Sequence, residues 1–148
     1  MKIYLASPFF QKEEIKVYDR VIEILRHQQD LDVFVPREHE IPNAWDIDNQ
    51  QWAEKVFFVD CKGIEQCDVV VVLNFGMYSD SGTAWECGYA YAKGKRVINV
   101  LCGGEEMDYS LMMLNGTNTV IPFADFENTP FNSILKMNRG LSKTVKQK

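Results

Sequence analysis

Apolar and polar residues divide the chain into short apolar runs and longer amphipathic stretches. The run Cys67–Leu73 is largely apolar and β-branched, which is typical of a parallel strand covered on both faces. Similar runs predict further strands at Lys2–Ala6, Leu31–Val35, Arg96–Leu101 and Thr119–Pro122. Apolar residues at helical spacing predict helices over about Lys12–Gln28, Asn49–Gln66, Thr83–Lys93 and Pro130–Asn138.

This alternation of strands and helices predicts the fold class. Strands joined by single helices require right-handed crossovers, so the sheet should be mostly parallel. We predict an α/β fold, a flavodoxin/Rossmann-like doubly wound sheet of about five mostly parallel strands with helices on both faces, in one domain over residues 1–148. Ligands of such sheets bind beyond the carboxyl ends of the strands. The loops expected to carry function are therefore Ser7–Phe10, Arg37–Asn49, Asn74–Gly82 and Cys102–Asp108.

Composition and charge narrow the possible functions. The 148 residues are 46% hydrophobic, which is enough for a core and argues against disorder. The net charge of -5 opposes a nucleic-acid-binding surface, and the tail with Lys143, Lys146 and Lys148 should be a frayed end. No stretch has the length and apolarity of a signal peptide or a membrane span, so we expect a cytoplasmic protein.

Cysteine and glycine spacing argues against a metal or a nucleotide cofactor. Cys61, Cys67, Cys87 and Cys102 show no C-x-x-C spacing, and buried thiols explain them better than a metal site or disulfides. The pair Gly103-Gly104 suggests a phosphate-binding loop, but no G-x-G-x-x-G motif follows the first strand and no Walker lysine is present. We therefore expect no cofactor and no metal.

The segment Asp80–Lys95 is the strongest candidate for chemistry, because it begins after a buried strand. It places two carboxylates, Asp80 and Glu86, at the start of a helix, where α/β proteins bind their ligands. Each carboxylate also has a purely structural interpretation. Thr83 and Glu86 match a capping box, in which the glutamate bonds to a backbone N–H, and Asp80 lies in a natural turn sequence.

Four blocks of sequence extend the pattern beyond this helix. They are Ile3–Phe10, Pro36–Glu38, Asp60 before Gly63 and Ile64, and Asp80–Gly88. Together they resemble the nucleoside 2-deoxyribosyltransferase family, and the resemblance runs from Lys2 to about Phe131. Each block alone is weak, but their order and spacing make the set specific.

The resemblance implies a chemistry for three side chains. Glu86 would be the nucleophile that attacks C1′ of a 2′-deoxynucleoside and holds the sugar covalently until a second base collects it. Asp60 would be the acid/base for the leaving and incoming bases, and Tyr4 would orient the nucleophile. Retaining glycosidases use such a pair of carboxyl groups, roughly 5 Å apart. Without the resemblance, Asp60 is a solvated helix residue and Tyr4 is a core aromatic.

The resemblance also implies substrate-binding residues. Asp80, near Gly82, would hold the 5′-hydroxyl of the sugar. Phe9 would either stack on the base or line the core. Met112 matches a methionine near the sugar, although packing is its simpler interpretation.

Two positions depart from the family pattern. Glu40 stands where the usual residue is an amide that reads the base edge. Because a carboxylate only accepts hydrogen bonds, Glu40 would favour bases with an amino group, such as adenine or cytosine, unless it faces solvent. Ser110 stands where most transferases carry an asparagine that reaches the 5′-hydroxyl in a neighbouring subunit. A serine there is typical of the related 5′-monophosphate N-glycosidases.

The leading prediction is a nucleoside 2′-deoxyribosyltransferase of nucleotide salvage, which exchanges purine and pyrimidine bases between 2′-deoxynucleosides and free nucleobases. The alternative is an N-glycosidase that hydrolyses 2′-deoxynucleoside 5′-monophosphates. A phosphate pocket needs cations or a nest of N–H groups, of which the sequence offers few, and Asp80 would repel the phosphate. A second alternative is a sensor of nucleoside or nucleotide derivatives without catalysis.

We also predict a homo-oligomer, a dimer or a hexamer, in which Tyr109–Asn115 completes the site of a neighbouring subunit. The helices over Asn49–Gln66 and Thr83–Lys93 are the expected contact faces. The chain has more aromatic and methionine side chains than a small core requires, and a surface between subunits would use the surplus. These side chains are Trp45, Trp52, Phe57, Phe58, Met112 and Met113.

Overall fold

The computed structural model describes residues 1–104, 106–137 and 145–148. The strands are β1 Lys2–Ala6, β2 Asp32–Phe34, β3 Val69–Asn74, β4 Arg96–Leu101 and β5 Thr119–Pro122. The helices are α1 Lys12–Arg26, α2 Asn49–Gln66, α3 Ser81–Ala92, α4 Leu111–Asn115, α5 Phe123–Asn128 and α6 Phe131–Ile134.

The five strands form one sheet in the order β2-β1-β3-β4-β5, and each neighbouring pair is parallel. This confirms the predicted doubly wound α/β fold, with an entirely parallel sheet. The chain moves outward from β1 to β2 and then returns to place β3 on the other side of β1. The strand order therefore switches between β1 and β3, where folds of this class open a crevice for ligands.

Side chains of the central strands alternate between the two faces of the sheet. Ile3, Leu5 and Val71 belong to the core that packs against α1, α5 and α6. Tyr4 and Val72 point to the opposite face and pack with α2, α3 and α4. The alternation therefore sends Tyr4 toward the two helices that carry the predicted catalytic carboxylates.

Several element boundaries differ from the sequence prediction. Helix α3 begins at Ser81, earlier than the predicted Thr83, because Asp80 is its N-cap. Helices α4 and α5 were not predicted, since each is too short to show helical periodicity. Helix α6 ends at Ile134, and the predicted end at Asn138 lies outside the described residues.

The C-terminal residues 145–148 are not frayed, so that prediction is wrong for Lys146 and Lys148. The Tyr109 N–H donates to the Lys146 carbonyl at 3.0 Å, and the Lys148 N–H donates to the Tyr109 carbonyl at 3.1 Å. The Lys148 ammonium also pairs with Asp108 at 2.5 Å. These contacts hold the end of the chain beside the segment that leads into α4. Lys143 lies outside the described residues.

All four cysteines are free thiols. Cys67 and Cys87 are buried, whereas Cys61 and Cys102 are half-buried. None of the helices in the described part of the chain is long and apolar enough to cross a membrane.

Candidate active site

The predicted nucleophile and the first strand meet through one hydrogen bond. The Tyr4 hydroxyl donates to Oε1 of Glu86 at 2.5 Å. Tyr4 is fully buried in β1, and Glu86 lies inside α3, past its first turn. The capping-box interpretation of Thr83 and Glu86 is wrong, because the cap of α3 is Asp80 and the Glu86 carboxylate binds Tyr4 instead.

Burial and neighbouring charges raise the pKa of Glu86 to about 7, from an ordinary value of 4.5. Desolvation is the largest cause, and the negative charges of Asp60 and Asp80 add to it. The hydrogen bond from Tyr4 works in the opposite direction, because it stabilises the charged carboxylate. Burial, followed by the charge of Glu86, raises the pKa of the Tyr4 hydroxyl, which therefore stays a hydrogen-bond donor.

Asp60 lies near the end of α2 and is half-buried. Desolvation raises its pKa to about 6, from an ordinary value of 3.8. Asp60 and Glu86 line the same cavity. Asp60 is therefore only partly exposed to solvent, and its carboxyl group has a raised pKa, as a general acid needs near neutral pH.

Asp80 has a structural role as well as a place in the cavity. Its Oδ2 accepts the backbone N–H of Thr83 at 2.8 Å and the Thr83 hydroxyl at 3.2 Å, which caps α3. Gly82 lies beside it, and a Cβ at that position would come within 2.8 Å of the same oxygen. Asp80 is therefore the N-cap of α3 rather than a simple turn residue, and Asp80 and Gly82 both also line the cavity.

The cavity has a volume of about 870 Å³ and opens at the carboxyl ends of β1, β2 and β3. Its lining includes the predicted residues Phe9, which is half-buried against the core, and Glu40, which is exposed, together with the aromatic rings of Phe10, Trp45 and Trp52. The cavity lining does not include Ser110 or Met112 of the same chain. The Met112 side chain is 75% exposed, so its interpretation as a packing residue within the chain is wrong.

The sequence analysis assigned no role to Arg37 or His39 of the cavity wall, although both lie in the Arg37–Asn49 loop that it expected to carry function. The guanidinium of Arg37 pairs with Asp19 and lies 4.7 Å from the centre of the Tyr18 ring. The His39 ring stacks on Phe34 at 3.9 Å between centroids. Their position directly after the second strand was the available signal, because such loops line ligand sites in parallel sheets.

Sequence comparison identifies the family. A sequence model of the family described as "Nucleoside 2-deoxyribosyltransferase" matches residues 3–133. The chain belongs to the nucleoside 2-deoxyribosyltransferase family. Members of this family are enzymes of pentosyl transfer, and the Tyr4–Glu86 pair and Asp60 lie within the matched residues.

Individual deoxyribosyltransferases show how far the similarity extends. The nucleoside deoxyribosyltransferase of Lactobacillus leichmannii is 26% identical over 145 residues, covering 88% of this chain and 89% of the relative. The solved 2-deoxyribosyltransferase of Bacillus psychrosaccharolyticus superimposes with a TM-score of 0.80 at 33% identity, covering 95% of this chain and 100% of that one. The CMP N-glycosidase BcmB of Clostridium botulinum shares the fold, with a TM-score of 0.57 at 20% identity and coverage of 86% and 96%.

In this member of the deoxyribosyltransferase family, α2 and α3 expose an aromatic cluster. The Phe57 ring lies 5.7 Å from Phe58 and 5.2 Å from Trp85, and Trp85 stacks on Tyr89 at 5.0 Å. Phe57, Phe58 and Trp85 are all exposed, on the helices predicted as contact faces. Met113 is buried in the core instead, so it does not contribute to a contact surface.

Proposed function

We propose that this protein exchanges nucleobases on 2′-deoxynucleosides through a covalent deoxyribosyl intermediate on Glu86. The observation that carries the proposal is the hydrogen bond from Tyr4 to Glu86 in a cavity that also contains Asp60. The three side chains come from β1, α2 and α3, and they supply a nucleophile, an orienting donor and an acid.

In the first half-reaction, a carboxylate oxygen of Glu86 forms a bond to C1′ of the sugar. The C1′–N bond to the base breaks, and its electron pair stays on the base. Asp60 gives its proton to N7 or N3 of the departing base, which leaves as a neutral molecule. Glu86 is then esterified, and Asp60 is ionised.

The second half-reaction runs the same steps in reverse with a new base. Asp60 takes a proton from the incoming base, whose nitrogen attacks C1′ and releases the Glu86 carboxylate. Two displacements at C1′ restore the original configuration, as in retaining glycosidases. Glu86 and Asp60 end in the protonation states in which they began, so the two half-reactions together require no cofactor.

Within the cavity, each remaining residue has a proposed task. Asp80 accepts a hydrogen bond from the 5′-hydroxyl, and this task is compatible with its cap because the cap bonds use only Oδ2. Phe9 lines the wall beside the base, because its ring already stacks on those of Phe10, at 5.2 Å, and Tyr18, at 5.8 Å. Salvage of nucleobases in the cytoplasm is the proposed setting.

Ser110 and Met112 fit the proposal only in a homo-oligomer. Both lie outside the cavity of their own chain, and Met112 is largely exposed. We assign them to the 5′ side of a neighbouring subunit's site, with the aromatic cluster on α2 and α3 in the interface.

Mixing two inactive variants, Glu86→Gln and Met112→Glu, should restore part of the activity, because mixed oligomers then contain intact sites. Two inactive variants that stay inactive after mixing and subunit exchange would contradict the shared site.

One observation favours hydrolysis of 5′-monophosphates as a second candidate. Ser110 is the residue expected of such hydrolases. Arg37 does place a cation in the cavity wall, but it follows β2 and is therefore distant from the 5′ side at Asp80. Asp80 opposes this candidate, because a carboxylate beside the 5′ end would repel a phosphate.

One experiment separates the candidates. The protein is incubated with thymidine and adenine, and separately with each 2′-deoxynucleoside 5′-monophosphate alone, and the products are separated by chromatography. We expect deoxyadenosine and thymine from the first mixture and no free base from the second. Glu86→Gln should be inactive, whereas Glu54→Gln on the exposed side of α2 should match the wild type. Base release from monophosphates only would select the hydrolase, and full inactivity of the wild type would select the sensor.

A further inference from the structure

Arg37 and Glu40 line the cavity together and have opposite hydrogen-bonding character. A guanidinium only donates hydrogen bonds, whereas an ionised carboxylate only accepts them. Both side chains follow β2 within one short segment of chain. The cavity wall therefore carries a donor and an acceptor that are three positions apart in the chain.

The Arg37 guanidinium is held in place by contacts with α1. Its Nη2 donates to Asp19, and its carbon lies over the Tyr18 ring; both residues belong to α1. Arg26 of α1 binds the Glu38 carboxylate through two hydrogen bonds, of 3.0 and 2.5 Å. The turn Pro36–Glu38 is thus anchored to α1 by two ion pairs. The cation belongs to α1 in the pair Arg26–Glu38 and to the turn in the pair Arg37–Asp19.

Part of the Arg37 guanidinium remains available for a ligand. Among the residues that the structure describes, its Nε and Nη1 have no hydrogen-bond partner. A guanidinium whose orientation is already fixed loses little freedom on binding, so its remaining donors are suited to selecting a substrate.

The position of Arg37 in the sheet assigns it to the base. Asp80 and Glu86 follow β3, whereas Arg37 follows β2, and β1 lies between those strands. Neighbouring strands lie about 4.8 Å apart, so the two strand ends are separated by about 10 Å. With the sugar over Glu86 and its 5′ end at Asp80, the base extends toward β2.

We propose, on the basis of the function proposed above, that Arg37 and Glu40 select a 2-amino-6-oxopurine, the guanine type of base. Glu40 accepts hydrogen bonds from N1–H and the 2-amino group, and Arg37 donates to O6. This leaves N3 and N7 for the proton of Asp60. From Glu40 alone, we expected adenine or cytosine. Adenine, however, would place its 6-amino group, a donor, against the donor Arg37. Cytosine lacks the neighbouring ring N–H and amino group that would both donate to the Glu40 carboxylate.

Three soluble donors test the two residues, with cytosine as the common acceptor. Deoxyguanosine and deoxyinosine differ only in the 2-amino group that Glu40 reads. Deoxyguanosine and the deoxyriboside of 2,6-diaminopurine differ at the 6-position that Arg37 reads and also at N1, whose hydrogen Glu40 accepts only in guanine. We expect kcat/KM for deoxyguanosine to exceed that of each analogue about tenfold or more, the discrimination typical of a well-placed base contact.

Two variants assign the discrimination to its residues. Glu40→Gln should abolish the preference over deoxyinosine and lower the preference over the diaminopurine donor only in part, because Arg37 still reads O6. Arg37→Met should keep the preference over deoxyinosine and lower the preference over the diaminopurine donor, without abolishing it because that base still lacks the N1 hydrogen that Glu40 accepts. Arg26→Met is the matched control, since it weakens the anchoring of the same turn without removing a cavity side chain, and both preferences should persist in it. Loss of both preferences in Arg26→Met would reduce Arg37 to a structural role and overturn its assignment.

A binding measurement keeps this inference separate from the proposed function. Calorimetric titration of the Glu86→Gln variant with the three nucleosides gives their order of affinity without turnover. A wild type inactive on every nucleoside contradicts the proposed function, while the calorimetric order still decides the base. Equal or reversed affinities, with deoxyinosine or the diaminopurine nucleoside at least as tight as deoxyguanosine, overturn the inference.

Discussion

The Tyr4 hydroxyl lies 2.5 Å from Oε1 of Glu86, although the two residues are separated by 82 positions in the chain. The bond joins the centre of β1 to α3 across the point where the strand order switches. It stabilises the charged form of a carboxylate that burial otherwise keeps protonated. In the proposed mechanism, this bond keeps part of the buried Glu86 carboxyl ionised and so able to act as the nucleophile.

Replacing Tyr4 with phenylalanine removes only this donor. A hydrogen bond to a charged group contributes about 1.5–3 kcal/mol, so kcat should fall about 10- to 100-fold. The pKa of Glu86 should also rise, because the contact that lowers it is gone. The acidic limb of the pH–rate profile should therefore move to higher pH. An unchanged limb would mean that Tyr4 does not act on Glu86.

The raised pKa of Glu86 predicts a pH-dependent effect of Glu86→Gln on stability. The fold favours the protonated carboxyl, so this stabilisation is fully present below about pH 4.5 and is lost as the pH rises through about 7. Glutamine keeps an acceptor for Tyr4 and avoids the buried charge. Urea unfolding should show the variant more stable than the wild type by about 2 kcal/mol at pH 8 and nearly equal at pH 4.5. A difference that does not grow with pH would contradict this account of Glu86.

Asp60→Asn should remove the proton donor and preserve the nucleophile. With deoxyadenosine as donor, kcat should fall about 100- to 10,000-fold, the usual contribution of general acid catalysis. A deoxynucleoside methylated at N7 carries a cationic base that departs without a proton. The first half-reaction of Asp60→Asn on that donor should approach the wild-type rate in a rapid-quench measurement. An equal loss on both donors would assign Asp60 a different role.

Gly63 leaves room for the aromatic rings beneath α2. A Cβ at this position would lie 3.0 Å from ring atoms of both Phe34 and Tyr4. Gly63→Ala should displace the Tyr4 ring by a few tenths of an ångström, lower kcat roughly tenfold and reduce stability by about 1 kcal/mol. Gly88→Ala is the matched control, because nothing lies within 4 Å of its Cβ, and helix propensity should stabilise it by up to about 1 kcal/mol. Similar kinetic losses in both variants would contradict the steric explanation.

The sequence was sufficient for the sheet and for the main helices that flank it. Apolar, β-branched runs such as β3 identify buried strands locally, and the alternation of elements then determines parallel pairing. The short helices α4 and α5 contain too few residues for periodicity to show. The start of α3 was ambiguous because Asp80, Ser81 and Thr83 are all good capping residues, and side-chain geometry alone selects Asp80.

The candidate site was predictable only in part. Resemblance placed Tyr4, Asp60 and Glu86 in one site, and the fold brings the three to one region. Arg37 was missed because its location depends on the ion pair and ring contact with α1, which join distant parts of the chain. The exposure of Met112 was missed because a short apolar helix reads as core from sequence alone.

The covalent intermediate on Glu86 is the central claim, and mass spectrometry tests it most directly. The protein is mixed with thymidine without an acceptor base, quenched in acid, and digested. We predict one deoxyribosyl group on the peptide that contains Glu86, absent from Glu86→Gln, and lost with formation of deoxyadenosine when adenine is added before the quench. Base exchange that proceeds with no adduct on Glu86, or with full activity in Glu86→Gln, would contradict the account.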